Sequence, residues 1–227
     1  MNSHWTYAVL LLGIIAFPLS ASFDKRVAFY RQWKFLFPAI IIVAVFFIAW
    51  DYWFTAQGVW RFNPAYLLGV YFFKLPLEEI LFFIVVPYAC VFIYACAESY
   101  FPKLLLKKSH CWISLTVMLV SLCLGLMNYD KAYTLSACVL SALLVFFFAF
   151  VQKAPWMGRF WINYAVVLIP FFICNGILTA KPVVIYNDAE NLGIRMYTIP
   201  VEDLFYNLVL MLGTTGVFEM LRRRKYS

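Results

Sequence analysis

Four of the chain's eleven acidic residues sit in two similar strings, Pro76-Leu77-Glu78-Glu79 and Pro200-Val201-Glu202-Asp203. Proline suits the first position of a helix, and acids in the first turn complement its dipole, so either string alone reads as an ordinary helix start. Two copies in strongly apolar surroundings point further. The stretch from Ala65 to Ala97 is nearly all apolar and too long for one untilted span. The loop before Pro76 therefore either re-enters the membrane or packs as an apolar cap. Both arrangements leave Glu78 and Glu79 poorly hydrated, and an acid buried in a membrane is a functional hypothesis by default. Carboxyl groups sharing a dry site cannot all ionise, so one holds a proton at neutral pH. A protonated acid, a carboxylate and aromatic faces are what carbocation chemistry on an alkene requires. The rings are present: Phe82 and Phe83 follow the first acid pair, and Phe205 and Tyr206 follow the second. Each ring facing a cation contributes about 0.5–2 kcal/mol. Glu78, Glu79, Glu202 and Asp203 are thus the candidate catalytic residues. Phe82, Phe83, Phe205, Tyr206, Trp60 and Asn175 are the candidate substrate contacts.

Positioning such groups requires a particular kind of scaffold. The chain has 227 residues, of which 65% are hydrophobic and 13% charged. Soluble domains are nearer half apolar and a quarter charged. Disorder, a disulfide scaffold and a soluble nucleotide-binding enzyme are excluded. Only helices and closed barrels satisfy the backbone in lipid, and barrel strands alternate apolar with polar residues. Runs such as Phe35–Trp50 and Ala132–Val151 do not alternate. The expected fold is an all-α polytopic membrane protein with seven transmembrane helices, at about 4–21, 36–54, 76–98, 111–127, 132–151, 161–179 and 200–220.

The net charge of +7 is placed as a topology signal rather than a nucleic-acid surface. Thirteen basic residues (Lys25, Arg26, Arg31, Lys34, Lys103, Lys107, Lys108, Lys153, Arg159, Arg222, Arg223, Arg224 and Lys225) fall on one set of connections. Five (Arg61, Lys74, Lys131, Lys181 and Arg195) fall on the other. This predicts a multi-pass protein of the cell membrane, with its N-terminus outside and its C-terminus cytoplasmic. The first apolar stretch has no basic residue ahead of it, and Lys25 and Arg26 behind it, so it reads as a retained helix rather than a cleaved leader.

The smaller signals mostly read as structural. Six cysteines form no CxxC pair and read as small hydrophobes. His4 and His110 are far apart, so no metal site is expected. Glu98 and Glu219 read as interface charges near Lys103 and Arg222. Trp5, Trp33, Trp112 and Trp161 read as an interfacial belt, and Arg195 or Lys74 as a partner for a motif carboxyl.

The motifs belong to a longer repeat. Residues 68–80, LGVYFFKLPLEEI, match residues 192–204, LGIRMYTIPVEDL, at four identical positions, and most of the remainder are conservative. The offset is 124 here. Upstream an offset of 128 aligns Lys25 with Lys153, Arg31 with Arg159 and Trp33 with Trp161. Helices one to three then correspond to helices five to seven, with helix four as connector. The expected division is 1–100, 101–131 and 132–227. Four crossings separate the starts of the repeats, so both copies share one orientation, and both motifs start a helix from the same side.

These residues resemble the heterodimer-type lycopene β-cyclase family. The resemblance rests on the doubled PxE[ED] motif, on Leu75–Phe83 and on Ile199–Asn207, and it extends over about 1–220. In that family two three-helix units occur as separate subunits or fused in one chain, and this sequence looks like the fused form. The resemblance implies cyclisation of the open ends of lycopene, or of a related acyclic carotenoid, to β-rings. It implies that the acids of the two motifs act, that the substrate is taken from membrane lipid, and that association with other carotenoid enzymes is possible. No redox change occurs in such a reaction, so no cofactor is implied, and no GxGxxG string for a flavin is present. The rival readings are a proton-coupled membrane carrier of a small or lipophilic molecule, a structural subunit, and a retinal protein. A retinal protein needs a lysine within a span, and the last helix has none before Lys225.

Overall fold

The computed structural model describes residues 4–106 and 109–224. Lys107, Lys108 and Lys225 of the charge pattern lie outside the described residues. The apolar runs form seven α-helices: α1 Thr6–Ala21, α2 Trp33–Gln57, α3 Leu77–Tyr100, α4 Ser109–Met127, α5 Ala132–Phe146, α6 Met157–Ala180 and α7 Glu202–Arg224. A π-helical turn, Phe147–Val151, prolongs α5. Six of these elements are long and apolar enough to cross a membrane. The exception is α1. It is apolar, but its 16 residues rise only about 24 Å, short of a hydrocarbon core of about 30 Å. Its end is fixed by Ser22, whose hydroxyl donates to the Pro18 carbonyl.

Short strands join the helices at one end of the bundle. Gly58 closes α2 in the left-handed conformation (φ 76°), with its N–H on the Phe54 and Thr55 carbonyls. The chain then forms β1 (Trp60–Phe62), and after α6 it forms β4 (Val184–Tyr186). The two pair antiparallel, Trp60 with Tyr186, Arg61 with Ile185, and Phe62 with Val184. Asn63 N–H on the Val183 carbonyl and Asn187 N–H on the Val59 carbonyl, both 2.9 Å, extend the ladder. Arg61 and Ile185 are 124 residues apart, so each half of the ladder repeats the other about that pair.

The motif loops repeat just as closely. Strands β2 (Tyr71–Phe72) and β3 (Leu75–Pro76) form one two-residue hairpin, and β5 (Arg195–Met196) and β6 (Ile199–Pro200) form another. Phe73 and Tyr197 hold the equivalent turn position at φ 55° and 60°. Leu77 N–H reaches the Val70 carbonyl, and Val201 N–H reaches the Ile194 carbonyl. The residues before Pro76 thus form a short apolar cap rather than a re-entrant helix.

Two upstream expectations change. Helices α2 and α6 start at Trp33 and Met157, so the offset there is also 124 rather than 128. The tryptophan match was one of residue type only. Trp33 donates to the Tyr88 hydroxyl, whereas Trp161 is buried and donates to Ser114. Neither behaves as an exposed belt residue, while Trp5 and Trp112 do.

Helix α4 packs along α5, with Gly125 against Leu135, Cys138 and Val139, where a small residue lets the backbones approach. At the end away from the motifs, Glu98 accepts from Arg159 (2.9 Å) and Arg222 (2.5 Å), tying α3 to α6 and α7. Glu219 accepts from Arg222 (2.6 Å) and from the Tyr94 hydroxyl (2.9 Å). Glu219 is fully buried, so it is a core ion rather than an interface charge.

Candidate functional site

Extended loops that turn sharply into α3 and α7 fix the motif acids. Pro76 is extended (ψ 149°) and caps α3. The first acid of each motif turns back onto its own loop. Leu68 N–H donates to Glu78 Oε1, and Leu192 N–H donates to Glu202 Oε1, both at 2.6 Å. Thr134 adds a hydroxyl to Glu202 Oε1 at 2.7 Å. These bonds satisfy Oε1 of each acid, while Oε2 of Glu78 and of Glu202 is buried with no hydrogen-bond partner among the described residues. Glu78 and Glu202 therefore hold the loops, and neither lines the cavity described next.

The second acids face inward. Glu79 and Asp203 line one cavity of about 550 Å³, within the range of small-molecule sites. Glu79 comes from the first half of the chain and Asp203 from the second. Around them the walls are largely apolar, from α1, α3, α6 and α7 with the β1–β4 ribbon at one end. Trp60, Phe82, Tyr206 and Asn175 line it, as expected from the sequence. Phe83 and Phe205 do not. Phe83 is fully buried against Phe47, ring centroids 5.6 Å apart, and Phe205 packs into the core and accepts from Ser141 through its carbonyl. Helical phase explains this. The cavity face of α3 runs Glu79, Phe82, Val86, so the ring that shares it lies three residues after the second acid, not four after it.

The two carboxyl groups have unequal partners. Glu79 Oε2 accepts from the Tyr7 hydroxyl at 2.6 Å, its one hydrogen bond among the described residues. Asp203 accepts three: Tyr133 on Oδ1 at 2.5 Å, and Asn175 (2.7 Å) and Tyr186 (2.9 Å) on Oδ2. Burial, then the neighbouring Asp203 charge, pushes the Tyr186 phenol above its usual range, so it stays a donor. At the position in α2 equivalent to Asn175 stands Asp51. Asp51 is buried, interacts electrostatically with Glu79, and accepts from the Trp60 indole at 2.5 Å. Where Asp203 has an amide donor, Glu79 has a second acid.

Arg195 pairs with no motif carboxyl, although its guanidinium lies 5.9 Å over the Tyr186 ring. It pairs with Asp188 and donates to the Thr198 carbonyl, because its hairpin carries it away from the motif carboxyls. Tyr7, Tyr133 and Tyr186 are the residues of this site that sequence reasoning missed. Single tyrosines are inconspicuous where 21% of residues are aromatic. A signal was present: Tyr7 and Tyr133 both stand in the first turn of their helices, 126 residues apart, each on the motif acid of its own half.

A family model described as lycopene cyclase matches residues 4–97 and 130–221, most of the chain. No curated protein and no solved structure gives a match. The two matched segments each contain one motif, one tyrosine–carboxyl pair and one strand of the ribbon, and the unmatched part between them contains α4. With its apolar membrane-spanning helices, this chain belongs to the lycopene cyclase family of carotenoid biosynthesis.

Proposed function

We propose that the protein is a lycopene β-cyclase that closes the open ends of lycopene to β-rings, giving γ-carotene and β-carotene, an isomerisation without redox change. One observation carries this reading: a carboxyl group from each half, Glu79 and Asp203, faces one apolar chamber lined by aromatic rings. Glu79 is the proton donor. An ionised carboxylate only accepts hydrogen bonds, and Asp203 accepts on both oxygens from three donors. Glu79 accepts one bond and stands near Asp51, and two acids side by side in a dry site do not both ionise.

The steps balance as follows. Glu79 gives its proton to the terminal dimethyl alkene, leaving a tertiary cation. The electron pair of a nearby alkene forms the new carbon–carbon bond, closing a six-membered ring and moving the cation onto it. Asp203 takes the adjacent ring proton, and the released pair becomes the ring double bond. Phe82, Tyr206 and Trp60 present faces to the passing cation, and the chamber excludes water that would trap it. Two cyclase units, 1–100 and 132–227, with a connector over 101–131, supply one acid each. The N-terminus lies outside and the C-terminus in the cytoplasm. The substrate is drawn from membrane lipid, and association with other enzymes of the same pigment route suits a product that never leaves the bilayer.

Pigment analysis tests this directly. Expressed alone in a bacterial host that accumulates lycopene, the protein converts it to ring-bearing carotenoids. Persistence of lycopene with the protein in the membrane overturns the reading.

A further inference from the structure

The two halves share their hydrogen-bond pattern but not their cavities. In the second half, α6 stands away from α7, and Val167, Phe171, Cys174, Asn175 and Leu178 line the chamber. The residues 124 positions earlier on α2 are Val43, Phe47, Trp50, Asp51 and Phe54, and all five are buried. Helix α2 packs closely along both α3 and α7, whereas α6 packs along α3 and touches α7 only sparsely. Phe47 and Trp50 rest on Tyr206, with ring centroids 5.0 and 4.9 Å away. Trp50 occupies the place that Cys174 leaves open. One groove of the pair is plugged, and one is hollow.

The hollow groove is long. On α3 the chamber runs from Glu79 to Ile93, about 21 Å at 1.5 Å per residue. Its far wall on α1 runs from Tyr7 to Pro18. Midway along that wall is Gly13, where an added Cβ meets nothing within 4 Å. Polar side chains gather at the Glu79–Asp203 end, with Asn175, Asn207 and the tyrosine hydroxyls, and the rest of the groove is lined by apolar residues, as a rigid unsaturated hydrocarbon needs.

Resting on the lycopene cyclase reading, we propose that the α1–α3–α6 groove seats the polyene chain with a single end group between Glu79 and Asp203. The two ends of one carotenoid are then cyclised in separate visits, and the one-ring product leaves and returns reversed. Phe47 and Trp50 enforce this by closing the equivalent groove, which would otherwise offer a second seat.

Two obstructions test the seat. Gly13→Trp fills the middle of the groove, and Cys174→Trp copies the plug of the other half. Ile173→Trp, on the exposed side of α6, is the control and keeps lycopene conversion. Membranes with equal amounts of each protein are given lycopene or a short acyclic isoprenoid with the same terminal alkene. We expect both groove variants to slow lycopene at least ten-fold more than the short substrate. Equal slowing of both substrates, or unimpaired lycopene conversion, overturns the proposal. The unsubstituted protein supplies a second test that no folding defect can confuse. Labelled lycopene is supplied with excess unlabelled one-ring carotenoid. A one-ring product alone, or dilution of label in the two-ring product, is expected. Undiluted passage to two rings overturns separate visits. If the unsubstituted protein leaves lycopene unchanged, the cyclase reading itself falls and this proposal with it.

Discussion

Glu79 and Asp203 occupy equivalent positions 124 residues apart and face one chamber, yet Asp203 accepts three hydrogen bonds where Glu79 accepts one. The backbone repeats, and the side chains around it have diverged. The expectations below follow from that inequality and from the packing that surrounds it.

Glu79→Gln removes the donated proton and Asp203→Asn removes the acceptor. Each is expected to cut lycopene conversion at least 100-fold, with membrane levels of protein unchanged on immunoblots. Glu78→Gln and Glu202→Gln keep an oxygen for the Leu68 and Leu192 N–H groups, and are expected to stay within about ten-fold of the unsubstituted protein. An equal loss in all four would remove the distinction between site acids and loop acids.

Turnover in D2O is expected to place one deuterium in each ring formed, because the donated proton exchanges with solvent between turnovers while the proton lost comes from the substrate. Mass spectra of the extracted pigments read this directly. Rings without deuterium would overturn exchange of the donated proton with solvent and leave direct return of the proton from Asp203 to Glu79.

Tyr186→Phe takes away one donor to Asp203 and leaves the ring. A hydrogen bond to a charged group contributes about 1.5–3 kcal/mol, so conversion is expected to fall about ten-fold or more. Tyr164→Phe is the comparison, since its hydroxyl donates to the Leu204 carbonyl instead and it does not line the chamber.

Two glycines on α7 separate packing from chemistry. The Phe148 ring lies where a Cβ on Gly216 would stand, whereas a Cβ on Gly213 would meet only Val43 methyls at ordinary distance. Gly216→Ala is expected to destabilise the protein by about 1–3 kcal/mol, and Gly213→Ala by less than about 0.5 kcal/mol. Thermal unfolding in detergent would show it.

Arg222→Ala strips Glu219 of its closest cation and Glu98 of one of two. Arg223 still reaches Glu219 at 3.4 Å and Arg159 still pairs with Glu98, so the loss in thermal stability is expected to stay below that of an uncompensated buried ion, about 3–5 kcal/mol. Conversion per folded molecule should stay unchanged, since this cluster lies at the end of the bundle away from Glu79.

The helices were legible in the sequence because lipid imposes long apolar runs, and the motifs because they occur twice. The division of labour within each motif was not legible. Glu78 and Glu79 are neighbours in the chain, and only the helical phase set by the Pro76 turn sends one to the loop and the other to the chamber. Nothing local to Asp51 shows that the Trp60 indole folds back onto it. Glu219 looked like an interface charge until Tyr94 and Arg222, distant in sequence or a turn away, enclosed it. A partner brought in across 125 residues, as Tyr94 is to Glu219, leaves no trace in local pattern.

The ribbon in which Arg61 faces Ile185 bears on ancestry. Antiparallel strands that repeat about one residue pair are what two identical chains form when they meet across a twofold axis, with that residue opposite itself. An ancestor of half this length would have closed the same ladder as a homodimer, with like acids facing like. Two halves carried in one chain can differ side chain by side chain. Here tryptophan stands in one half where cysteine stands in the other, and glutamate in one where aspartate stands in the other. Asymmetry of this kind is open only to a gene that carries both halves, or to two genes that have already parted.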